Sequence, residues 1–254
     1  MNDTNNTNQL GDINQLLEHF NNGVLNLKAK HLVWLSMNDK KLLSNELIKN
    51  GSNTYNIIRD SLFIACMLDI ANLGRDNDNR SLSLINIMNF FKNNEKKIKE
   101  KLLEDIKNFK SAPSVQGSIP PESDIQRFDK NHRAEKINEL NNNFAMFHSM
   151  YEDKSMQGKL SSFWIFRNKV AAHQDIYDKK GNLREFDISN LNLKYDDLTI
   201  AIEYLLDINK LLHQILKNKI LYYDDLNKEV SDNANQFWQP FFNIPLHYAE
   251  QRNQ

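Results

Sequence analysis

Apolar residues recur at intervals of three or four along most of the chain, which is the spacing of an α-helix with one buried face. In the first part of the chain, the segments with this spacing are 12–31, 38–50 and 54–73. Gly51 and Gly74 follow the second and third segments, and glycine is common just after a helix. Gly23 lies inside the first segment and weakens that prediction only slightly. The pattern therefore predicts three helices, of which the third is the most apolar.

Helical spacing continues through the rest of the chain. The further predicted helices start near 81 and cover 95–110, 123–152, 159–172 and 196–221. Ser81 or Ser83 can cap the first of them, because a serine hydroxyl accepts a hydrogen bond from an unpaired amide at a helix start. Residues 111–122 hold three of the five prolines and predict a long loop, and a second loop is predicted over 178–190. No segment alternates as a strand does, so the predicted fold is an all-α helical bundle.

These elements divide the chain into one domain and two ends. Residues 1–10 are rich in asparagine and are predicted to be disordered. The helical domain spans 11–225, and 226–254 form an aromatic tail that Pro240 interrupts. The tail's aromatic residues are Phe237, Trp238, Phe241 and Phe242. We expect them to pack on the core, since large exposed apolar patches are uncommon on monomers.

Composition limits what the chain can do. The formal net charge is -1, so any RNA binding needs a local basic patch or a narrow cleft. His132 and Arg133 could contact RNA, although a solvated helix face is the more frequent role of such residues. Cys66 is the only cysteine and lies in an apolar run, where we expect a buried thiol. The chain shows neither a signal peptide nor the ~20 apolar residues of a membrane span, so a cytoplasmic protein without membrane contact is expected.

Most familiar catalytic patterns are missing from the sequence. It contains no glycine-rich phosphate loop, no nucleophile elbow, no His-Glu-x-x-His pair and no cluster with zinc spacing. Asp76 and Asp78 resemble the start of a calcium loop, but the glycine and glutamate that should follow are absent. We interpret this segment as a structural turn. Neither a metal nor a cofactor is therefore predicted.

One group of chemically capable residues follows the apolar run Phe163–Phe166. Arg167, Asn168, Lys169 and His173 lie within seven positions. His173 can exchange a proton near neutral pH, and the planar guanidinium of Arg167 can bind phosphate oxygens. Asn168 can orient the phosphate or the other two groups. Such a set is sufficient in principle to cleave RNA through the ribose 2′-hydroxyl without a metal.

The spacing of Arg167 and His173 restricts how they can act together. On an ideal α-helix, residues six apart are separated by about 240° around the axis, so these two do not share a face. They converge if the helix bends or ends near His173, or if two copies of the motif meet across a two-fold axis. A structural role also stays open, because such residues often form a buried ion pair or place a histidine at a helix C-terminus.

The motif resembles the signature of the HEPN superfamily, in which an arginine, a polar residue and, after a short spacer, a histidine follow one another. Arg167, Asn168 and His173 occupy those positions. The longer stretch 167–175 is similar to the abortive-phage-infection U branch of that superfamily. A second stretch, 68–84, resembles the same branch in its apolar helix, acidic turn and Ser-Leu-Ser-Leu helix start. The resemblance is close over these two stretches and loose over about 15–220.

The resemblance implies a HEPN-type helical bundle with extra N- and C-terminal helices and a homodimer formed through the motif helix. For active members it implies a metal-independent endoribonuclease that acts as a toxin or phage-defence effector. The implied site residues are Arg167, His173 and Asn168 for catalysis and Lys169 and Asp175 for RNA contacts. Alanine in place of Arg167 or His173 should then stop cleavage and leave the melting temperature nearly unchanged.

Two other functions fit the same sequence. The chain could be a non-catalytic HEPN module that binds RNA, a nucleotide or a protein partner, with Arg167 and His173 serving the dimer interface. It could also be a component that an antitoxin or sensor protein holds silent, docked on the 111–122 loop or on the aromatic tail.

Overall fold

The computed structural model describes residues 4–38, 52–76, 78, 81–110, 121–171 and 193–243. Within these ranges every regular element is helical and none is a strand, which confirms the predicted all-α fold. The α-helices are α1 (Thr4–Met37), α2 (Ser52–Arg75), α3 (Leu84–Asn108), α4 (Glu122–Tyr151), α5 (Lys154–Phe166), α6 (Tyr195–Lys217) and α7 (Asp224–Asn243). A π-helical turn, Arg167–Ala171, follows α5 directly.

The bundle is organised around α1 and α2. α1 packs against α2, α3, α6 and α7, while α2 also contacts α5 and the π turn. α6 lies between α1 and α4, and its apolar stripe is buried, as with Leu198, Ile202, Leu205 and Leu212. Each such buried side chain contributes about 1.5–3 kcal/mol relative to exposure. The stripe that the sequence predicts is thus the face that holds the bundle together.

Glycines allow two of these helix pairs to approach closely. A Cβ on Gly23 of α1 would lie 2.7 Å from Cδ2 of Leu73 on α2, and one on Gly74 would lie 2.9 Å from Cδ2 of Leu160 on α5. The prediction that Gly74 ends its helix is wrong, because α2 continues to Arg75. Its role is to give room to Leu160, which holds α5 against α2.

Helix α3 also differs from the prediction. The segments near 81 and over 95–110 form one continuous helix, and Ser83 is its N-terminal cap, with its hydroxyl accepting from the Asn86 amide. No glycine or proline lies between the two segments. The change from apolar to charged residues therefore shows that the second half of the helix is more exposed to solvent, and it does not mark the end of a helix.

Helices are present at both ends of the bundle, as the predicted fold class includes. α1 begins at Thr4, inside the segment 1–10 that the domain prediction sets apart from the bundle. α7 continues through Pro240, because a proline removes one amide donor and bends a helix without always ending it. Phe237 is exposed on α7 rather than packed in the core.

Several predictions fall elsewhere in the chain. The helix over 38–50 lies almost wholly outside the described residues, as do most of the loop over 111–122 and all of the loop over 178–190. The domain boundaries stay predictions. None of the described helices combines the length and apolar character that a membrane span requires.

Candidate active site

The motif lies where α5 gives way to the π turn. α5 begins at Lys154, earlier than predicted, because the Asp153 carboxylate caps it by accepting the amide hydrogens of Ser155 (2.9 Å) and Met156 (3.2 Å). Its buried face comprises Met156, Leu160, Phe163 and Phe166. This face fixes the end of α5, and with it Arg167, against α2.

The π turn changes the geometry of the motif. Ordinary α-helical winding ends at Phe166, and Arg167–Ala171 form a wider turn with hydrogen bonds between residues five apart. Such turns are rare and often occur at functional sites. The ideal-helix separation of Arg167 and His173 therefore does not apply to a chain wound in this way.

Arg167 is held on two sides. Its Nη1 lies 3.4 Å from Oδ2 of Asp76, which follows α2, and its Cζ lies 4.7 Å from the ring centroid of Trp164. About 29% of the Arg167 side chain stays accessible to solvent, against 14% of the Asp76 side chain. The guanidinium is thus an oriented cation with part of its surface open.

Asp76 is itself fixed by the turn that follows α2. Its carbonyl accepts hydrogen bonds from the hydroxyls of Ser81 (2.9 Å) and Ser83, and its Oδ1 accepts from the Asp78 amide (3.1 Å). Ser83 joins this turn to α3 as the cap of that helix. The acidic turn and the Arg167 motif, which lie far apart in sequence, therefore form one site.

Of the other predicted site residues, two lie within the described part of the chain and two lie outside it. Asn168 is half-buried beside Arg167, and Lys169 is exposed. His173 and Asp175 lie outside the described residues. The pairing of Arg167 with His173 therefore stays a prediction, as does every assigned catalytic or RNA-binding role.

Two residues of this site were missed by sequence reasoning. Asp76 was interpreted as part of a structural turn, and nothing in its local sequence links it to Arg167. The only usable signal was that both stretches resembled the same family. Trp164 was treated as part of the buried run, whereas it is half-buried and packs on the guanidinium. Because Arg167 forms an ion pair, the expectation that Arg167→Ala leaves stability nearly unchanged must be revised.

Three buried reactive side chains within the described residues have structural roles. Cys66 is fully buried, as predicted, and burial raises the pKa of its thiol to about 12. His213 is also buried as predicted, with Nδ1 3.0 Å from the Asn209 carbonyl, and burial lowers its pKa. His31 is buried too, and desolvation lowers its pKa to about 4. None of these groups suits proton transfer or nucleophilic attack near neutral pH.

Metal-ligating side chains do not gather in the described part of the chain. No three histidine, cysteine, aspartate or glutamate residues there are arranged so that they could hold a metal ion.

Comparison with family models identifies the family of the chain. A family model described as AbiU2, of the HEPN type, matches residues 11–237. The matched range includes the acidic turn, the Arg167 motif and the helices that join them. No curated protein and no solved structure matches the chain.

Proposed function

Because the chain belongs to the AbiU2 family of the HEPN superfamily, we propose that it is a metal-independent endoribonuclease with Arg167, Asn168 and His173 as its catalytic residues. The family places the chain among HEPN proteins of phage defence. The observation that supports the nuclease proposal is the oriented, partly open guanidinium at the end of α5.

The arrangement of Arg167 is suited to a developing negative charge. A guanidinium has five N–H donors, of which those on Nη1 lie nearest Asp76, while Cζ lies over the ring of Trp164. The accessible part of the side chain leaves donors for phosphate oxygens. A cation that is already oriented does not have to move when negative charge builds on the phosphate. This preorganisation is the main source of electrostatic catalysis.

In the proposed reaction the ribose 2′-oxygen attacks the adjacent phosphorus and the bond to the 5′-oxygen breaks. His173 moves a proton between the 2′-hydroxyl and the leaving 5′-oxygen, and Arg167 stabilises the charge on the non-bridging oxygens. Asn168 orients the phosphate. The products are an RNA end with a 2′,3′-cyclic phosphate and a 5′-hydroxyl end, so neither water nor metal enters this step.

The experiment is RNA cleavage by the full chain with and without EDTA. We expect activity that survives EDTA and a 2′,3′-cyclic phosphate product. Arg167→Ala and His173→Ala should each reduce the rate by roughly 10²–10⁴-fold, as is typical of a charge-stabilising donor or an acid–base group. Activity that is lost with EDTA and restored by magnesium would contradict the proposal and indicate carboxylate-bound metal instead.

Two control variants separate catalysis from folding. Arg59 has 27% of its side chain accessible, close to the value for Arg167, and its Nη2 lies 3.1 Å from the more exposed Asp60, so Arg59→Ala removes an ion-paired arginine elsewhere. His148, 3.2 Å from Glu95, provides the matching histidine variant. Both should cleave RNA at the wild-type rate. Equal losses in Arg59→Ala and Arg167→Ala would contradict a catalytic role for Arg167.

The second candidate function is a non-catalytic HEPN module that binds RNA, a nucleotide or a protein partner. One observation favours it. Asp76, the partner of Arg167, is largely buried and is fixed by hydrogen bonds of its turn, and structural ion pairs often have such a partner. On this alternative, wild-type protein does not cleave RNA. Arg167→Ala should lose about 1–3 kcal/mol of stability on either function, because the ion pair with Asp76 is lost in both cases. Cleavage by folded wild-type protein therefore decides between the two functions.

A further inference from the structure

A second surface with nucleic-acid chemistry lies between the C-terminal part of α3 and the N-terminal half of α4. Here the two helices form a groove of about 740 Å³, which we call the basic groove. The cations that line it are Lys107, Lys110, Lys130 and Arg133. Its two carboxylates are Glu122 and Asp129, and Asp129 is buried and lies 3.7 Å from the Arg133 guanidinium. The groove is therefore positive although the chain as a whole has a net charge of -1.

Three of these cations are available to a ligand. Among the described residues, no carboxylate oxygen lies within 4 Å of the ammonium groups of Lys107, Lys110 or Lys130. All three residues are exposed. Elsewhere on the same helices, lysines such as Lys96 and Lys136 pair with a neighbouring glutamate. The groove therefore gathers three exposed lysines that have no partner carboxylate among the described residues.

An aromatic stack borders the groove. The ring of His132, which neighbours Arg133 in sequence, lies 4.7 Å from that of Phe109 and 5.9 Å from that of Phe128, and it is nearly parallel to the latter. Phe128 is 57% exposed and Phe109 is 38% exposed. Exposed rings beside unpaired cations combine the two features that bind single-stranded nucleic acid, which are base stacking and contacts to the phosphate backbone.

A neighbouring cavity of about 340 Å³ shares Phe109 and His132 with the stack. Leu102, Ile106 and Leu140 give its lining apolar side chains, and Asn143 gives it an amide. The lining also carries charged residues, which are Asp105, Lys136, Glu139 and Lys217. Aromatic rings with a nearby amide can contact an unpaired base, which a duplex does not offer.

From this arrangement we infer that the basic groove and its aromatic stack form a binding surface for single-stranded RNA. The inference rests on the proposed function, because it supplies the substrate contacts that a small catalytic site lacks. The surface is distinct from the Arg167 site. Ser83, which fixes Asp76, caps the N-terminus of α3, whereas Lys107 is near its C-terminus, roughly 35 Å away along the helix axis.

The test measures binding of labelled, unstructured single-stranded RNA to the full chain, in the His173→Ala background, at several salt concentrations. Lys107→Glu/Lys130→Glu should weaken binding about tenfold or more. The slope of log binding constant against log salt concentration should become shallower by about 1.4, since each phosphate contact contributes about 0.7 to it. The control, Lys97→Glu/Lys101→Glu, makes the same charge change at exposed positions of α3 outside the groove. It should have a much smaller effect.

Phe128→Ala/His132→Ala tests the aromatic stack. It should weaken binding by about tenfold with an unchanged salt dependence, because stacking releases no counterions. Circular dichroism and thermal melting check that each variant is folded.

Equal losses in the groove and control variants would overturn the inference, and so would duplex RNA that competes better than single strands. These outcomes are independent of catalysis. A wild-type protein that binds through the groove without cleaving RNA would contradict the proposed nuclease and leave this surface in place.

Discussion

At the scale of single residues, the site depends on what surrounds Arg167 as much as on Arg167 itself. A free arginine samples many rotamers, whereas this one lies against Trp164 and Asp76. The sequence indicated the arginine because its neighbours resemble a known signature. It could not indicate the carboxylate, because ion pairs between distant segments depend on how helices pack.

Asp76→Asn tests whether that carboxylate positions Arg167. Asparagine keeps the shape of the side chain and an oxygen that can accept from the Asp78 amide, but it removes the charge near the guanidinium. If the proposed function holds, kcat should fall by roughly 10- to 100-fold with a smaller change in KM, since a misplaced group is costly in the transition state. Steady-state cleavage measures both constants. Asp78→Asn, an exposed carboxylate in the same turn, is the control. Unchanged kcat in a folded Asp76→Asn protein would contradict this positioning role.

His31 gives a prediction about the dependence of stability on pH. The residue is fully buried, its Nε2 lies 3.2 Å from Oγ1 of Thr199, and burial lowers its pKa from 6.5 to about 4. Between these values the unfolded chain binds the proton and the folded chain does not. The contribution of neutral His31 to the free energy of unfolding is therefore fully present above pH 6.5 and is lost as the pH falls toward 4. The loss over this range is roughly 3 kcal/mol.

Urea unfolding of wild type and His31→Gln between pH 7 and pH 4 measures this contribution. Burial also lowers the pKa of His213, so both proteins should lose stability on acidification. The wild type should lose more, and the difference between the two curves isolates His31. Parallel curves over the whole range would show that the folded protein protonates His31 as readily as the unfolded chain does.

At the scale of elements, glycines give a direct test of how α5 is held. Nothing lies within 4 Å of a Cβ built on Gly158, so Gly158→Ala should stabilise the protein by about 0.5–1 kcal/mol through helix propensity. Gly74→Ala should instead destabilise it by about 1 kcal/mol or more, because the fully buried Leu160 must shift. Denaturant midpoints compare the two variants. An equal gain in both would show that α2 and α5 are not in close contact at Gly74.

Helices were predictable from this sequence because each has its own periodic apolar face. The long stripe of α6 and the serine cap of α3 were found in this way. Helix ends were less predictable. Gly74 was interpreted as a stop signal, but packing against Leu160 requires the glycine inside α2, and Pro240 did not end α7. Nothing in the local sequence of Arg167–Ala171 predicted the π turn, which contacts α2 in the folded chain.

At the scale of the whole molecule, the overall charge conceals where nucleic acid can bind. A net charge of -1 suggests little affinity for RNA, yet three exposed lysines without partner carboxylates lie on one groove. Sequence reasoning noted His132 and Arg133 but favoured a solvated face for them. Their significance comes from Lys107 and Phe109, which the packing of α3 on α4 brings beside them.

The last prediction concerns assembly. If two copies of the motif complete one site across a two-fold axis, the protein should sediment near twice its mass of 29.8 kDa at micromolar concentration.

Ile165 immediately precedes the buried end of α5 and is 39% exposed, so it is a candidate contact in such an interface. Ile165→Glu should then shift the protein to monomer and reduce cleavage, because a buried, unpaired charge is unfavourable. Ile220→Glu places the same charge at an exposed isoleucine beyond the end of α6, and it should leave both mass and activity unchanged. Sedimentation velocity at several concentrations distinguishes these outcomes. A wild-type protein that is monomeric and fully active would mean that Arg167 and His173 of one chain converge through the π turn alone, and that the two-fold site does not exist.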